Sequence, residues 1–266
     1  MRPARSATAI LLAAPLVLSA CVGGGGGAPK PTKRQAAMID RALASAPGAA
    51  QPSTIVATEI AFARAAKEQG QWTAFRQFAA PGALLHGGRG PFEILPWLAT
   101  QTDPAQAVDW KPRSVVMSCD GALAVSQGRS RDPDGIVGNF VTVWQRQADG
   151  RYLYVFDAGG PDVPQPPPRK VVEDGDIVVT EIDAVQGMVA SCPRGGAAIP
   201  PPPALSPDEA GKSGTSLSQD GTLRWRWTHT GNGTRGFVAD YFYQGRWVTA
   251  IEQNLVRGAD RCEGMG

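Results

Sequence analysis

Acid/base chemistry through an enolate-like intermediate needs a carboxylate or imidazole base and a phenol or neutral acid that donates to a developing oxyanion. The groups of that kind in this chain are Asp157, His86 and Asp109 as candidate bases and Tyr152 and Tyr154 as donors. Trp97, Trp144 and Tyr154 are candidate walls for an apolar ligand. Each base also has a plain structural explanation. Asp157 precedes Ala158-Gly159-Gly160 and suits a strand-ending turn, Asp109 stands beside Trp110, and His86 is followed by Gly87-Gly88 as in a simple turn. On the strand expected over 151–157, Tyr152, Tyr154 and Phe156 share one face and Asp157 the other with Leu153 and Val155. Base and phenol would then look in opposite directions. The chain has two histidines, His86 and His229, and no Cys-x-x-Cys pair, so neither a metal site nor a cofactor is expected. Without a G-x-S-x-G turn, nucleophilic serine chemistry has no local support.

One glycine motif demands a decision. Gly231-Asn232-Gly233-Thr234-Arg235-Gly236 matches the G-x-G-x-x-G spacing of dinucleotide-binding loops, which must be followed by a helix whose N-terminus meets the pyrophosphate. Upstream, Leu223, Trp225, Trp227 and His229 alternate with Arg224, Arg226 and Thr228; downstream, Phe237 to Tyr243 is aromatic. Both flanks are strand-like, so the motif is expected to be a hairpin loop. The tryptophans are expected on the buried face of their strand and the arginines on the wet one; the alternative is a stacking surface for a sugar.

The N-terminus sets the compartment. A short segment with Arg2 and Arg5 precedes an apolar run, Ala7 to Leu18, too short to span a bilayer and suited to a secretory signal. Leu18-Ser19-Ala20-Cys21 resembles the lipobox of bacterial lipoproteins. That resemblance implies lipidation of Cys21, removal of 1–20 and an anchor in membrane lipid. Val22 after the cysteine points to the outer membrane, periplasmic face. Gly23 to Gly27 with Pro29 and Pro31 make a tether. Of 26 Lys+Arg and 24 Asp+Glu, two arginines lie in 1–20, so the remaining chain is balanced and nucleic acid is not an expected partner.

Cys119, Cys192 and Cys262 remain in a compartment that permits disulfides, and three pairings are open. Either pairing through Cys192 closes a loop of about 70 residues, contributing ~4 kcal/mol by chain entropy.

These groups must be positioned by the elements between them. A short helix is expected over Lys33 to Ala46, and a second from Ser53 to Gly70 with Val56, Ile60 and Ala63 at helical spacing. A third follows over 71–78 with Trp72, Phe75 and Phe78 near one face, closed by Pro81-Gly82; Phe92 to Thr100 suggests another. Then the period changes to two. Runs at 113–117, 122–127, 140–147 and 151–157 are separated by Asp120-Gly121, Asp134-Gly135 and Asp149-Gly150, the dipeptides of antiparallel hairpins. The fold class is α+β, helices on a curved antiparallel sheet followed by a C-terminal antiparallel meander.

Glu59 to Gly70, Trp72 to Phe78, Ala79 to Ala83, Ser118 to Leu123, Thr142 to Gly150 and Val155 to Asp157 together resemble the nuclear transport factor 2-like superfamily, in its ketosteroid-isomerase-like and polyketide-cyclase-like members. The resemblance covers roughly 53–160 and implies a cone-shaped domain with an apolar cavity. Fold does not carry function with it. The expected organisation is a signal (1–20), a lipidated cysteine and tether (21–34), the cone domain (35–160), a Pro-rich linker (161–170) and a β-rich extension (171–266) with a Pro-rich break near 199–204.

The extension repeats part of the middle. Ser118-Cys119-Asp120-Gly121-Ala122-Leu123 recurs as Ser218-Gln219-Asp220-Gly221-Thr222-Leu223, Phe140-Val141 as Phe237-Val238, and Gly150-Arg151-Tyr152 as Gly245-Arg246-Trp247. A second meander without helices is implied. The expected role is a non-catalytic periplasmic lipoprotein whose cone binds a small apolar ligand or serves as an interaction module, with an envelope protein or a second copy as partner. The alternative is an acid/base enzyme of ketosteroid-isomerase type.

Overall fold

The computed structural model describes residues 32–34, 49–167, 184–193, 198–204, 212–231 and 233–255. Cys21, most of the expected first helix, and Cys262 lie outside the described residues.

Helix α1 (Pro52–Gln69) begins on proline, whose missing N–H costs nothing in a first turn. Its buried stripe is Ile55, Glu59, Phe62 and Ala66. That stripe is rotated by one residue from the expected Val56, Ile60 and Ala63, and Ile60 is exposed. Gly70 then takes φ 108°, reversing the chain into α2 (Gln71–Phe78). The Asp103 carboxylate caps α2 from a distant loop, accepting from the Thr73 amide (3.0 Å) and the Thr73 hydroxyl (2.6 Å) as well as from the Trp72 amide. Strand β1 (Ala79–Gly87) starts at once, running through Pro81-Gly82, which therefore belong to an irregular strand rather than to a closing turn. β2 (Gly90–Glu93) and the short α3 (Ile94–Leu98) follow.

The meander comprises β3 (Asp109–Met117), β4 (Leu123–Arg131), β5 (Val137–Arg146) and β6 (Tyr152–Pro161). With β7 (Gln186–Val189) they form a seven-stranded sheet ordered β2-β1-β6-β5-β4-β3-β7, in which β1 runs parallel to β6 and β7 to β3 and the other pairs are antiparallel. A second, antiparallel sheet is built from β8 (Lys212–Leu217), β9 (Leu223–His229), β10 (Arg235–Tyr243) and β11 (Arg246–Leu255) in the order β11-β10-β9-β8. The chain is thus α+β, as its patterning implies.

Two cores divide the labour. On one face of the first sheet, Trp110, Val115, Met117, Phe140, Trp144 and Tyr154 pack against Ile55 and Phe62 of α1. On the other face, Val116, Val125, Val143 and Phe156 pack against Trp225, Phe237 and Ile251 of the second sheet. The Gly231–Gly236 stretch joins β9 to β10, closed by the Thr230 amide to the Thr234 carbonyl (3.0 Å). A strand follows its glycines, as a hairpin requires and a dinucleotide fingerprint forbids.

The internal repeat is structural. In each copy of the turn a serine amide donates to a leucine carbonyl, Ser118 to Leu123 (2.9 Å) and Ser218 to Leu223 (2.8 Å). In each, the serine hydroxyl donates to the aspartate carboxylate at 2.6 Å. The turn glycines, Gly121 and Gly221, stand at φ 68° and 71°. Both copies carry a bulge at the same point: Val155 is the extra residue between Val143–Phe156 and Trp144–Tyr154, and Ala250 between Ala239–Ile251 and Asp240–Thr249. The strand registers match Val141 to Phe237, so the apparent pairing of Phe140 with Phe237 is one residue out of step. Tyr152 and Trp247 do correspond, opposite Arg146 and Phe242.

A disulfide joins Cys119 in the first turn to Cys192 after β7, leaving the other two pairings aside.

Candidate functional site

The helix-covered face of the first sheet gathers three acid/base groups. Glu59, from the buried stripe of α1, reaches between β3, β4 and β5 and is fully buried. Its carboxylate accepts from Trp110 Nε1 (3.1 Å), Trp144 Nε1 (3.1 Å) and Ser126 Oγ (2.5 Å). Asp157 on β6 accepts from Thr142 Oγ1 at 2.7 Å. Tyr154 donates its hydroxyl to the Phe75 carbonyl at 2.9 Å.

The bulge at Val155 decides this arrangement. An unbroken strand would put Tyr154 and Asp157 on opposite faces. The extra residue reverses the alternation, so Phe156 turns to the second sheet while Tyr154 and Asp157 both face the helices, beside Trp144 and Thr142.

Burial governs the charges. Loss of solvent pushes the Glu59 carboxyl up to about 7, with the neighbouring Asp157 adding to the shift and its three donors opposing it. Burial pushes Asp157 up to about 6, against the pull of Thr142. It also raises the Tyr154 phenol well above its ordinary range. The pair can hold a proton near neutrality, and aromatic rings crowd the same core. The Phe62 ring lies 4.8 Å from Phe75, 4.8 Å from Phe78, 4.9 Å from Trp110 and 5.9 Å from Tyr154, centroid to centroid. A surface cleft of about 290 Å³ lies elsewhere, between Asn139, Asp162, Val163 and Asn254.

Of the expected site residues, Asp157, Trp144 and Tyr154 are brought together. Trp97 is not among them: it packs at the edge of the helices against Trp72 (5.0 Å) and Phe92 (5.9 Å). Asp109 is half exposed and pairs with Lys67 Nζ at 2.6 Å, apart from that buried group. His86 points the other way, into the junction of the two sheets, because its place on β1 alternates with Leu85 on the helix side. There its Nε2 meets His229 Nδ1 at 3.1 Å, between Phe156 and Trp227. Burial, then the positive charge of Arg235, brings the His86 imidazole down to about 3. His229 is correspondingly a junction residue. Glu59 was missed as a site residue, although a carboxylate four after Ile55 and three before Phe62 on a helical stripe is a readable signal.

Arg224 departs from expectation too. It is 7% exposed, paired with Asp240 at 2.6 Å and overlaid by the chain at Pro203. Among the described residues, no three His, Cys, Asp or Glu side chains gather as a metal site would require.

No family profile and no curated protein matches the chain. Solved structures do. A proposed ketosteroid isomerase of Parabacteroides distasonis matches with 16% identity over 41% of this chain and 89% of its own, at a TM-score of 0.35. Nuclear transport factor 2 of Cryptosporidium parvum matches with 15% identity over 42% and 95%, at 0.33. A proposed ketosteroid isomerase of Shewanella frigidimarina matches with 13% identity over 44% and 97%, at 0.29.

Proposed function

We propose that the chain is a lipoprotein of the bacterial outer membrane, anchored at its periplasmic face through Cys21, whose nuclear transport factor 2-like domain serves as a non-catalytic interaction module. One observation carries the non-catalytic reading: aromatic rings pack closely around Phe62 on the side of the sheet where three internal donors engage the Glu59 carboxylate. A general base needs a lone pair facing substrate, and a ligand needs volume. The lipobox-like Leu18-Ser19-Ala20-Cys21 supports the anchor, and the Cys119–Cys192 disulfide suits an oxidising compartment.

Native mass spectrometry of the chain from Val22 onward tests the interior. A bare mass is expected; extra mass that is lost on denaturation would overturn the packed-core reading. Metabolic labelling with a palmitate analogue tests the anchor. Wild type should carry the label in the membrane fraction, and Cys21→Ser should lose both label and membrane association.

The second reading, an acid/base enzyme of ketosteroid-isomerase type, is favoured by the gathering of Glu59, Asp157 and Tyr154 on one side of the sheet. It predicts isomerisation of a β,γ-unsaturated ketone above the buffer rate, lost in Asp157→Asn. The non-catalytic reading predicts no rate above buffer in either protein.

A further inference from the structure

The outer face of the second sheet carries donors that the cone does not use. Arg224 on β9 is fixed by Asp240, which Thr249 Oγ1 holds in turn at 2.7 Å. Trp247 on β11 lies beside Phe242 on β10, ring centroids 6.2 Å apart. Their donors converge on one stretch of chain. Trp247 Nε1 donates to the Pro200 carbonyl at 2.8 Å, and Arg224 Nη1 to the Pro203 carbonyl at 2.6 Å.

The spacing has a physical meaning. Four consecutive prolines, 200–203, fix φ near −65° and hold each residue that precedes a proline extended, which is polyproline II geometry. That helix has three residues per turn, so carbonyls i and i+3 stand on the same side. Pro200 and Pro203 are such a pair. Pro200, Pro201 and Pro203 stay exposed, so the sheet grips the backbone carbonyls, which any polyproline II segment presents, rather than burying particular rings. Donors at that repeat beside an aromatic surface are how such segments are recognised.

We propose that this face is a recognition site for a proline-rich peptide of a partner protein, occupied in cis by Pro200–Pro203. The tethered segment competes at an effective concentration in the millimolar range, so a partner must outbid it or displace it by longer contact. The inference rests on the interaction role proposed above for its biological sense, but not on the packed core.

The experiment uses the full chain in detergent micelles and a fluorescein-labelled peptide of sequence Ile-Pro-Pro-Pro-Pro-Ala, read by anisotropy. In a protein carrying Pro200→Ser, Pro201→Gly, Pro202→Ser and Pro203→Gly, saturable binding is expected, at least about tenfold tighter than to wild type. Adding Trp247→Phe, which keeps a ring and removes the N–H, should weaken that binding at least about tenfold. The site is overturned if the strap-free protein keeps the wild-type near-ultraviolet circular dichroism and binds no peptide, or if Trp247→Phe binds as well. Either result leaves the mass-spectrometric test of the cone untouched, so the two readings fail separately.

Discussion

The backbone amide of Asp120 donates to the carboxylate of Asp220 at 2.9 Å, joining two residues one hundred positions apart that occupy the same point of the same turn. Beside it the Cys119 amide donates to Thr222 Oγ1 at 2.9 Å. The two copies of the turn are therefore each other's hydrogen-bond partners, and they clamp the sheets together at one end. Asp220 does more than Asp120, since it accepts from Ser218 and Thr222 within its own turn as well as from Asp120. Asp220→Ala should cost about 2–3 kcal/mol and Asp120→Ala less, about 1–2 kcal/mol. Urea denaturation of the two variants checks the order; a larger loss at Asp120 would show that the clamp is misassigned.

Phe62 stands at the centre of the aromatic core between the helices and the first sheet. Phe62→Ala should destabilise by about 3–5 kcal/mol and leave an apolar hole among Phe75, Trp110 and Tyr154. Holes of that kind admit benzene. Saturating benzene should raise the melting temperature of Phe62→Ala and leave wild type unmoved. A shift in wild type would reveal volume that the rings do not fill.

Glu59 and Asp157 keep protons in the fold that they would release when unfolded. With carboxyls at about 7 and about 6, the native state binds more protons through the range above pH 4.5, so their contribution to stability falls as pH rises. His86 acts in the opposite sense. Its imidazole, at about 3, stays neutral where the unfolded chain takes up a proton, so stability is lost as pH falls below 6.5. The two slopes overlap between pH 4.5 and 6.5 and oppose each other. Glu59→Gln should expose the histidine slope, gaining stability as pH climbs through that window more steeply than wild type does. Urea midpoints at half-unit pH steps measure this; parallel curves for the two proteins would reject the buried-proton assignment.

Gly70 is needed for two reasons. Its φ of 108° is unfavourable for any L side chain, and a Cβ there would lie 2.3 Å from the Asp103 carboxylate that caps α2. Gly70→Ala should cost about 2 kcal/mol or more, by displacing that cap and straining the turn. Gly82, at φ 73° with open space around it, is the control: Gly82→Ala should cost only about 1 kcal/mol. Equal losses in thermal unfolding would place the cost in backbone conformation alone.

Local signals made much of this fold legible. Asp120-Gly121, Asp134-Gly135 and Asp149-Gly150 mark hairpins because glycine supplies the positive φ each turn needs, and all three do. The repeated Ser-x-Asp-Gly-x-Leu is legible because its hydrogen bonds are local. Three features were not. The bulge at Val155 inserts one residue without a sequence marker and exchanges the faces of everything after it. The stripe on α1 was displaced because it includes an acid, and burial of Glu59 depends on Trp110, Ser126 and Trp144 brought from far along the chain. The arginine face looked wet because its cover, Pro200–Pro203, comes from outside the strand.

Matched through the registers of the two meanders, Ala124, Trp144 and Tyr154 of the first copy correspond to Arg224, Asp240 and Thr249 of the second. One strand plan, used twice in one polypeptide, lays an oily row under two helices in the first case and an ion-pair row under a proline ribbon in the second. Were the copies separate identical subunits, every substitution would strike both, and the row that suits a helical lid would be imposed on the side that has none. Fusing them in a single chain releases that constraint, so that one sheet can specialise as scaffold while its twin is free to acquire a vocabulary of its own.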